Sequence, residues 1–289
     1  MTLLEKVLIN YARHFPIRLG KYRLINALWR TAAGAGPFDR MALLNRSGMC
    51  MPCDVSELLQ RQFYYFGTYF LEDEILSCWE TAAKRADVIF DVGANMGIYS
   101  LTALAANSGA TVHAFEPTPE IAARLRNTAA MNNLRRLIVN ELAVADWNGQ
   151  AALQRCRGGD GSNGGMNYIT SNDLEKTSEA VAVVSLDSYC TDRGIDRIDL
   201  IKLDIQGMEY SALVGAGRLF KTSKIGTLFI ELNWAGHGAT FCPATELVRL
   251  LDSAGYKFSK PAKKLTWCGP GDWLRAHRDI VAQRSNLLR

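Results

Sequence analysis

The chain has 289 residues, of which 48% are hydrophobic and 21% charged, and its formal net charge is +4. This composition belongs to a folded globular protein and excludes a disordered or fibrous chain; no apolar run in it is long enough to cross a bilayer. Seven cysteines are an odd number without framework spacing, and Cys50-Met-Pro-Cys53 has no second cysteine or histidine pair to complete a zinc site, so no metal is expected.

Residues 1–60 read as a basic helical extension, with helices broken at Pro16 and at Gly34-Ala-Gly-Pro37. Residues 1–46 and residues 257–289 each carry +6, which leaves the middle of the chain acidic. A basic amphipathic segment either packs as a cap or makes peripheral contact with an anionic membrane. Glu5 and Lys6 interrupt the first apolar stretch, unlike a secretory signal. A cytoplasmic location is therefore expected, with no nucleic-acid partner. Residues 61–289 are expected to form one catalytic domain. It opens on the aromatic cluster Arg61–Tyr69, either core packing or a ring pocket, and a helix through Ile75, Leu76 and Trp79.

From Val88 onward strands alternate with helices. Val88-Ile-Phe-Asp-Val-Gly-Ala-Asn-Met-Gly-Ile-Tyr-Ser100 reads as a buried parallel strand, a glycine turn and a packed helix. Strand ends of this kind are where nucleotide-like cofactors sit in open α/β sheets. A dinucleotide turn needs G-x-G-x-x-G, because a pyrophosphate approaches bare backbone. Here Asn95 replaces the second glycine and Asp91 stands at the strand tip, which repels an anion and suits a cation. S-adenosylmethionine, with a sulfonium, an ammonium and no phosphate, fits better than NAD. The next strand ends at Glu116, 25 residues after Asp91, where an acid can accept both ribose hydroxyls. Pro117 stops that strand and Pro119 opens a helix.

A third strand is expected over Leu137–Val144, turning at Asn148-Gly149 into a returning strand over Gln150–Arg155. Arg157–Asn167, nearly half glycine, reads as a lid loop. Ala180–Leu186 is a further strand, and Ile198–Asp204 and Thr227–Leu232 are central ones. Pro243–Ala254 reads as a helix ending at Gly255, followed by weak strands at Lys257–Ser259 and Leu265–Cys268. In Ile198-Asp-Leu-Ile-Lys-Leu-Asp-Ile-Gln-Gly-Met-Glu209, Lys202 and Asp204 share a face. A lysine buried in a central strand costs several kcal/mol unless an acid pairs with it, to order of magnitude. Glu231 on the neighbouring strand is a candidate partner, with Asn233 on the same face. Asp204 is then left at the strand tip facing the ligand. Glu209 opens the next helix, as a dipole partner or as part of the chemistry.

Phe90-Asp-Val-Gly-Ala-Asn-Met-Gly-Ile-Tyr-Ser, Phe115-Glu-Pro and Ile201-Lys-Leu-Asp-Ile-Gln-Gly-Met-Glu together resemble the FkbM family of S-adenosylmethionine-dependent methyltransferases. The resemblance covers about Phe63 to Asn233. It implies the α/β class I methyltransferase (Rossmann-like) fold: a seven-stranded, mostly parallel sheet with helices on both faces. It also implies methylation of hydroxyl groups on sugars, polyketides and related small or glycan substrates. By it, Asp91, Gly93, Asn95 and Gly97 bind the methionine part of S-adenosylmethionine, Glu116 the ribose, and Ala143 lies near the adenine. Ala94 and Pro117, in the same turns, complete the cofactor set. Two positions depart from the family pattern. Gln206 stands where a glutamate is usual, and Phe70 where an acid tends to follow the tyrosine of Tyr65-Phe-Gly-Thr-Tyr69. An amide hydrogen-bonds but cannot act as a base. The base role then falls on Asp204, with Lys202 tuning it, or on Glu209 or Glu231. The sequence leaves open a Mg²⁺-assisted O-methyltransferase using Asp204, Glu231 and Asn233. It also leaves open a non-catalytic S-adenosylmethionine-binding module in a glycan-assembly complex, and an NAD-dependent reductase.

Overall fold

The computed structural model describes residues 1–16, 20–154, 167–170, 179–231, 244–260, 266–268 and 279–284. Residues 155–166, which include most of the expected glycine lid, and Asn233 lie outside them.

The chain begins with α1 (Leu3–His14) and α2 (Lys21–Ala33). A capping box starts α1: Glu5 N donates to Thr2 Oγ1 and Thr2 N to Glu5 Oε2. Glu5 is buried and pairs with Arg40 at 2.9 Å. The residues after α2 correct the expectation that this region is all helical. A hairpin of β1 (Asp39–Leu43) and β2 (Cys50–Asp54) intervenes before α3 (Leu58–Phe66). The reason is a period-2 pattern in β2, which buries Met51 and Cys53 and leaves the residues between them half-exposed. Burial pushes the Cys53 thiol up to about 12, which leaves it unreactive. Leu8, Ile25 and Trp29 belong to the same apolar cluster as Phe63, Trp79, Leu101 and Val112. Residues 1–60 therefore share a core with the elements that follow them. Arg61 seals the junction, its guanidinium 4.0 Å from the Trp29 ring centre and its Nε donating to Val55 O. Of the two readings of the aromatic cluster, the structure gives core packing: Phe63, Tyr64, Tyr65 and Phe66 are all buried.

The chain continues with α4 (Asp73–Ala83), β3 (Val88–Val92), α5 (Ile98–Ala106), β4 (Thr111–Phe115), α6 (Pro119–Met131) and β5 (Leu137–Asn140). After these come β6 (Ala143–Val144), β7 (Gly149–Gln154), β8 (Tyr168–Thr170), β9 (Glu179–Val184), α7 (Leu186–Asp192) and β10 (Ile198–Leu203). The chain then forms α8 (Glu209–Val214), α9 (Gly217–Lys221), β11 (Ile225–Glu231), α10 (Ala244–Ser253), β12 (Tyr256–Lys260), β13 (Thr266–Cys268) and β14 (Asp279–Arg284). The main sheet runs β13-β12-β14-β11-β10-β3-β4-β5. Strands β5, β4, β3, β10 and β11 are parallel, and β14 inserts antiparallel between β11 and β12. This is the expected seven-stranded, mostly parallel sheet, with β13 added at one edge.

Side-chain alternation divides the sheet into two faces. Ile89, Val112, Leu200 and Phe229 pack on the side of α4 and α5. Phe90, Phe115, Ile201 and Ile230 pack on the side of α7, α8 and α10. Asp91 and Lys202 are direct neighbours in register on β3 and β10.

One further expectation is corrected. The third strand does not turn back as a hairpin at Asn148-Gly149. It ends at Asn140, and β6, β9, β7 and β8 form a separate four-stranded sheet. Asn148 works at long range instead: Ser185 N donates to its Oδ1 and its Nδ2 donates to Ser188 Oγ, both at 2.8 Å.

Candidate active site at the strand tips

The turn after β3 has left-handed backbone at every second residue: Gly93 (φ 82°), Asn95 (φ 49°) and Gly97 (φ 84°). Gly and Asn are the residues that reach this region at least cost, which explains the G-x-N-x-G spacing physically. Two of these positions are also crowded. A Cβ on Gly93 would lie 1.9 Å from the Asp204 carbonyl oxygen, and one on Gly97 would lie 2.3 Å from Leu125 Cδ1. Gly93 thus lets the tips of β3 and β10 touch, where Asp204 N donates to Val92 O at 3.0 Å.

Asp91 does not reach the crevice. It is buried, and its Oδ2 accepts from Ser100 N at 2.9 Å and Ser100 Oγ at 2.6 Å. The N-cap of α5 is Gly97, which has no side chain to offer. Asp91 supplies the missing acceptor and a negative charge at the positive end of the helix. Burial pushes its carboxyl up to about 6, against the opposing pull of the Ser100 hydrogen bonds and Lys202. Glu116 joins two turns. Its Oε2 accepts from Asn95 N at 3.0 Å and its Oε1 from Thr118 N at 2.9 Å. Burial raises its pKa, opposed by these hydrogen bonds.

At the tip of β10, Lys202 is buried with its Nζ 3.8 Å from Asp204 Oδ2 and 5.1 Å from the Tyr99 ring centre. Asp204 keeps a quarter of its side chain exposed. Gln206 Nε2 donates to Asp204 Oδ1 at 3.0 Å and to Glu231 Oε2 at 3.2 Å. Glu231 is buried at the end of β11. Glu209 turns back on its own segment: Oε1 accepts from Ile205 N at 3.0 Å and Oε2 from Gly207 N at 3.0 Å. Burial pushes its carboxyl up to about 7.

These tips line an open cleft whose empty space, mouth included, is about 550 Å³. Of the expected site residues, Gly93, Asn95, Glu116, Pro117, Ala143 and Asp204 line it. Asp91, Ala94, Gly97, Lys202, Glu209 and Glu231 are not among its lining residues. Thr118, Ile169 and Met208 line it without having been expected. Ile169 comes from the small sheet, and Asn167 beside it donates to Thr118 Oγ1 at 3.4 Å. The described lining holds two carboxylates, Glu116 and Asp204, and no cationic side chain. That environment accepts a sulfonium-ammonium ligand and disfavours a pyrophosphate.

A model of the methyltransferase FkbM domain family matches residues 91–258. The chain belongs to the FkbM methyltransferase family. One relative is a 31-O-demethyl-FK506 methyltransferase of Streptomyces tacrolimicus, 33% identical over 160 residues that cover 46% of this chain and 60% of that protein. Another is the 2-O-methyltransferase NoeI of Sinorhizobium fredii, 30% identical over 160 residues that cover 51% of this chain and 65% of that protein. The chain thus spans less than two thirds of the length of these curated relatives. A solved S-adenosylmethionine-dependent methyltransferase from Agrobacterium tumefaciens aligns over 90% of this chain and 79% of its own, with a TM-score of 0.45 and 11% identity. The cofactor of this FkbM domain is S-adenosylmethionine.

Proposed function

We propose that the protein transfers a methyl group to a hydroxyl of a sugar, glycan or comparable small molecule, with Asp204 as the base. The observation that carries this reading is the position of Asp204: it is the carboxylate at the tip of β10 that lines the cleft. S-adenosylmethionine, when bound, supplies an already activated methyl. Glu116, Gly93, Asn95, Pro117 and Ala143 are the residues that would hold it. Each Glu116 oxygen accepts one backbone N–H in the turns and keeps lone-pair capacity for a hydroxyl. Asp204 takes the proton of the acceptor hydroxyl as the oxygen becomes nucleophilic. Lys202, 3.8 Å away, favours the ionised form of Asp204. Asp91 and Glu209 act from behind the cleft, each holding a turn by accepting backbone N–H groups.

The names of both relatives describe methyl transfer to oxygen, which supports a hydroxyl acceptor. The test is incubation of the purified protein with methyl-tritiated S-adenosylmethionine and panels of saccharide and polyketide alcohols. Acceptor-dependent release of S-adenosylhomocysteine, with a methyl ether in the product by mass spectrometry, is expected. Cofactor binding without transfer to any hydroxyl class, or label found on nitrogen or carbon, would refute the reading.

A further inference from the structure

Gln206 is the amide in a segment otherwise built around acids. Its backbone is left-handed, φ 54°, a conformation that side chains with a Cβ seldom adopt. From there its Nε2 reaches Asp204 Oδ1 and Glu231 Oε2 at 3.0 and 3.2 Å. An amide nitrogen carries two hydrogens, and ionised carboxylates only accept. Each hydrogen therefore serves a different acid. The flipped amide would press Oε1 against two acceptor oxygens, so the contacts themselves fix its orientation. Two carboxylates on adjacent strands, β10 and β11, are thus drawn to one point. Like charges this close drive one acid to protonate unless a proton, a cation or a hydrogen-bond donor lies between them.

We propose that Gln206 is that donor: a positioning residue whose amide fills the place a divalent cation would otherwise take between Asp204 and Glu231. Together with Lys202 it favours the ionised form of both acids, and it fixes the rotation of the Asp204 carboxylate through Oδ1, while Oδ2 stays on the Lys202 side. The inference deepens the proposed function and rests on Asp204 being the base. It also states what a third carboxylate would do. A glutamate at 206 would turn the shared donor into another acceptor and surround one point with three carboxylates, the oxygen-rich ligand set that hard divalent cations take.

Three variants and the wild type test this. In the first arm Mg²⁺ or Mn²⁺ alone is titrated calorimetrically into wild type, Gln206→Glu and the double variant Gln206→Glu, Glu231→Gln. A saturable cation site is expected only in Gln206→Glu. This arm needs no methyl acceptor, so its failure is distinct from failure of the hydroxyl-methylation reading. In the second arm Gln206→Leu, of similar volume but without donors, should lower kcat roughly ten- to a hundredfold, the loss expected for a hydrogen bond to a charged group. Gln206 itself lines the cleft, so the KM for S-adenosylmethionine is measured alongside, and the fall in kcat should exceed any rise in KM. Wild-type far-UV circular dichroism and a cooperative urea transition report that each variant is folded. Saturable cation binding by the wild type itself, or a wild-type kcat in Gln206→Leu, would overturn the proposal.

Discussion

Gly93→Ala probes the contact on which the site geometry depends. The new methyl would meet the Asp204 carbonyl oxygen at 1.9 Å, its carbonyl carbon at 2.8 Å and Ile205 Cγ2 at 3.1 Å. The first two are backbone atoms, and the strand holds them: Asp204 N donates to Val92 O at 3.0 Å. Relief therefore requires the tips of β3 and β10 to part. A side chain at φ 82° costs about 1–2 kcal/mol, and forced repacking adds about 1–3 kcal/mol, for a total of about 2–5 kcal/mol. Gly97→Ala is the internal control. Its φ is nearly the same, 84°, but its methyl meets the end of a flexible side chain, Leu125 Cδ1, at 2.3 Å. A rotamer adjustment there costs about 0.5–1.5 kcal/mol on top of the shared backbone strain. Urea unfolding of the two variants should rank Gly93→Ala as the less stable. Gly93→Ala should also lose turnover at temperatures where it is still folded, because the clash displaces Asp204. A loss below about 1 kcal/mol in Gly93→Ala, or wild-type kcat in the folded variant, would refute this account of the turn.

Asp204→Asn keeps the shape and removes the base. Turnover should fall by about 10²–10⁴ with cofactor affinity nearly unchanged, as read by initial rates and calorimetry. Glu116→Gln sets an NH₂ against Asn95 N or Thr118 N, and S-adenosylmethionine affinity should fall roughly ten- to a hundredfold by calorimetric titration. Stability should decline as pH rises. Burial pushes the Asp91 and Glu209 carboxyls up to about 6 and about 7, above ordinary carboxyl values, so the native state should hold more protons than the unfolded chain between about pH 4 and 7. Urea unfolding at pH 5 and 8 should show the loss. Glu209→Gln should flatten it, the Glu209 shift corresponding to on the order of 3 kcal/mol at most. The N-terminal helices are proposed as a structural cap: removing residues 1–46 should lower the Tm sharply, whereas flotation with anionic liposomes should leave the full chain unbound.

The site was legible where physics acts locally. An apolar run closed by an acid, then Gly, Asn and Gly at alternate positions, marks a strand tip that must turn through left-handed backbone, and the φ values of 82°, 49° and 84° bear that out. Strands β10 and β11 were legible for the same reason. Long-range pairing was not. Strand β14 has only Ile280, Val281 and Ala282 as an apolar core, and it inserts between two strands that precede it. Asn148-Gly149 carries a hairpin signal because Asn favours tight turns, but its side chain is spent on Ser185 and Ser188. Thr118, Ile169 and Met208 were invisible as lining residues because they meet only once the small sheet closes over the strand tips. The hairpin of β1 and β2 was hidden by the surrounding charge pattern, which reads as helix.

The acids of the three signature segments look alike in sequence, all at strand ends or in the turns beyond them, yet they divide into two kinds. Glu116 and Asp204 line the cleft, Glu116 while also accepting two backbone N–H groups, whereas Asp91 and Glu209 are absent from the lining and face inward onto backbone N–H groups of the turns they sit beside. Burying an acid is costly, because desolvation disfavours its charged form and pushes its carboxyl up. What it provides is a turn held in one conformation, and the cleft residues can point correctly only if that turn is held. A loss of cofactor affinity on mutating Asp91 therefore does not identify a contact with the cofactor. The same loss arises if α5 loses its N-terminal acceptor and the turn carrying Gly93 and Asn95 relaxes. The two cases separate by stability: removing a contact with the ligand leaves the apo protein as stable as before, whereas removing the acceptor of Ser100 lowers its stability before any ligand is added.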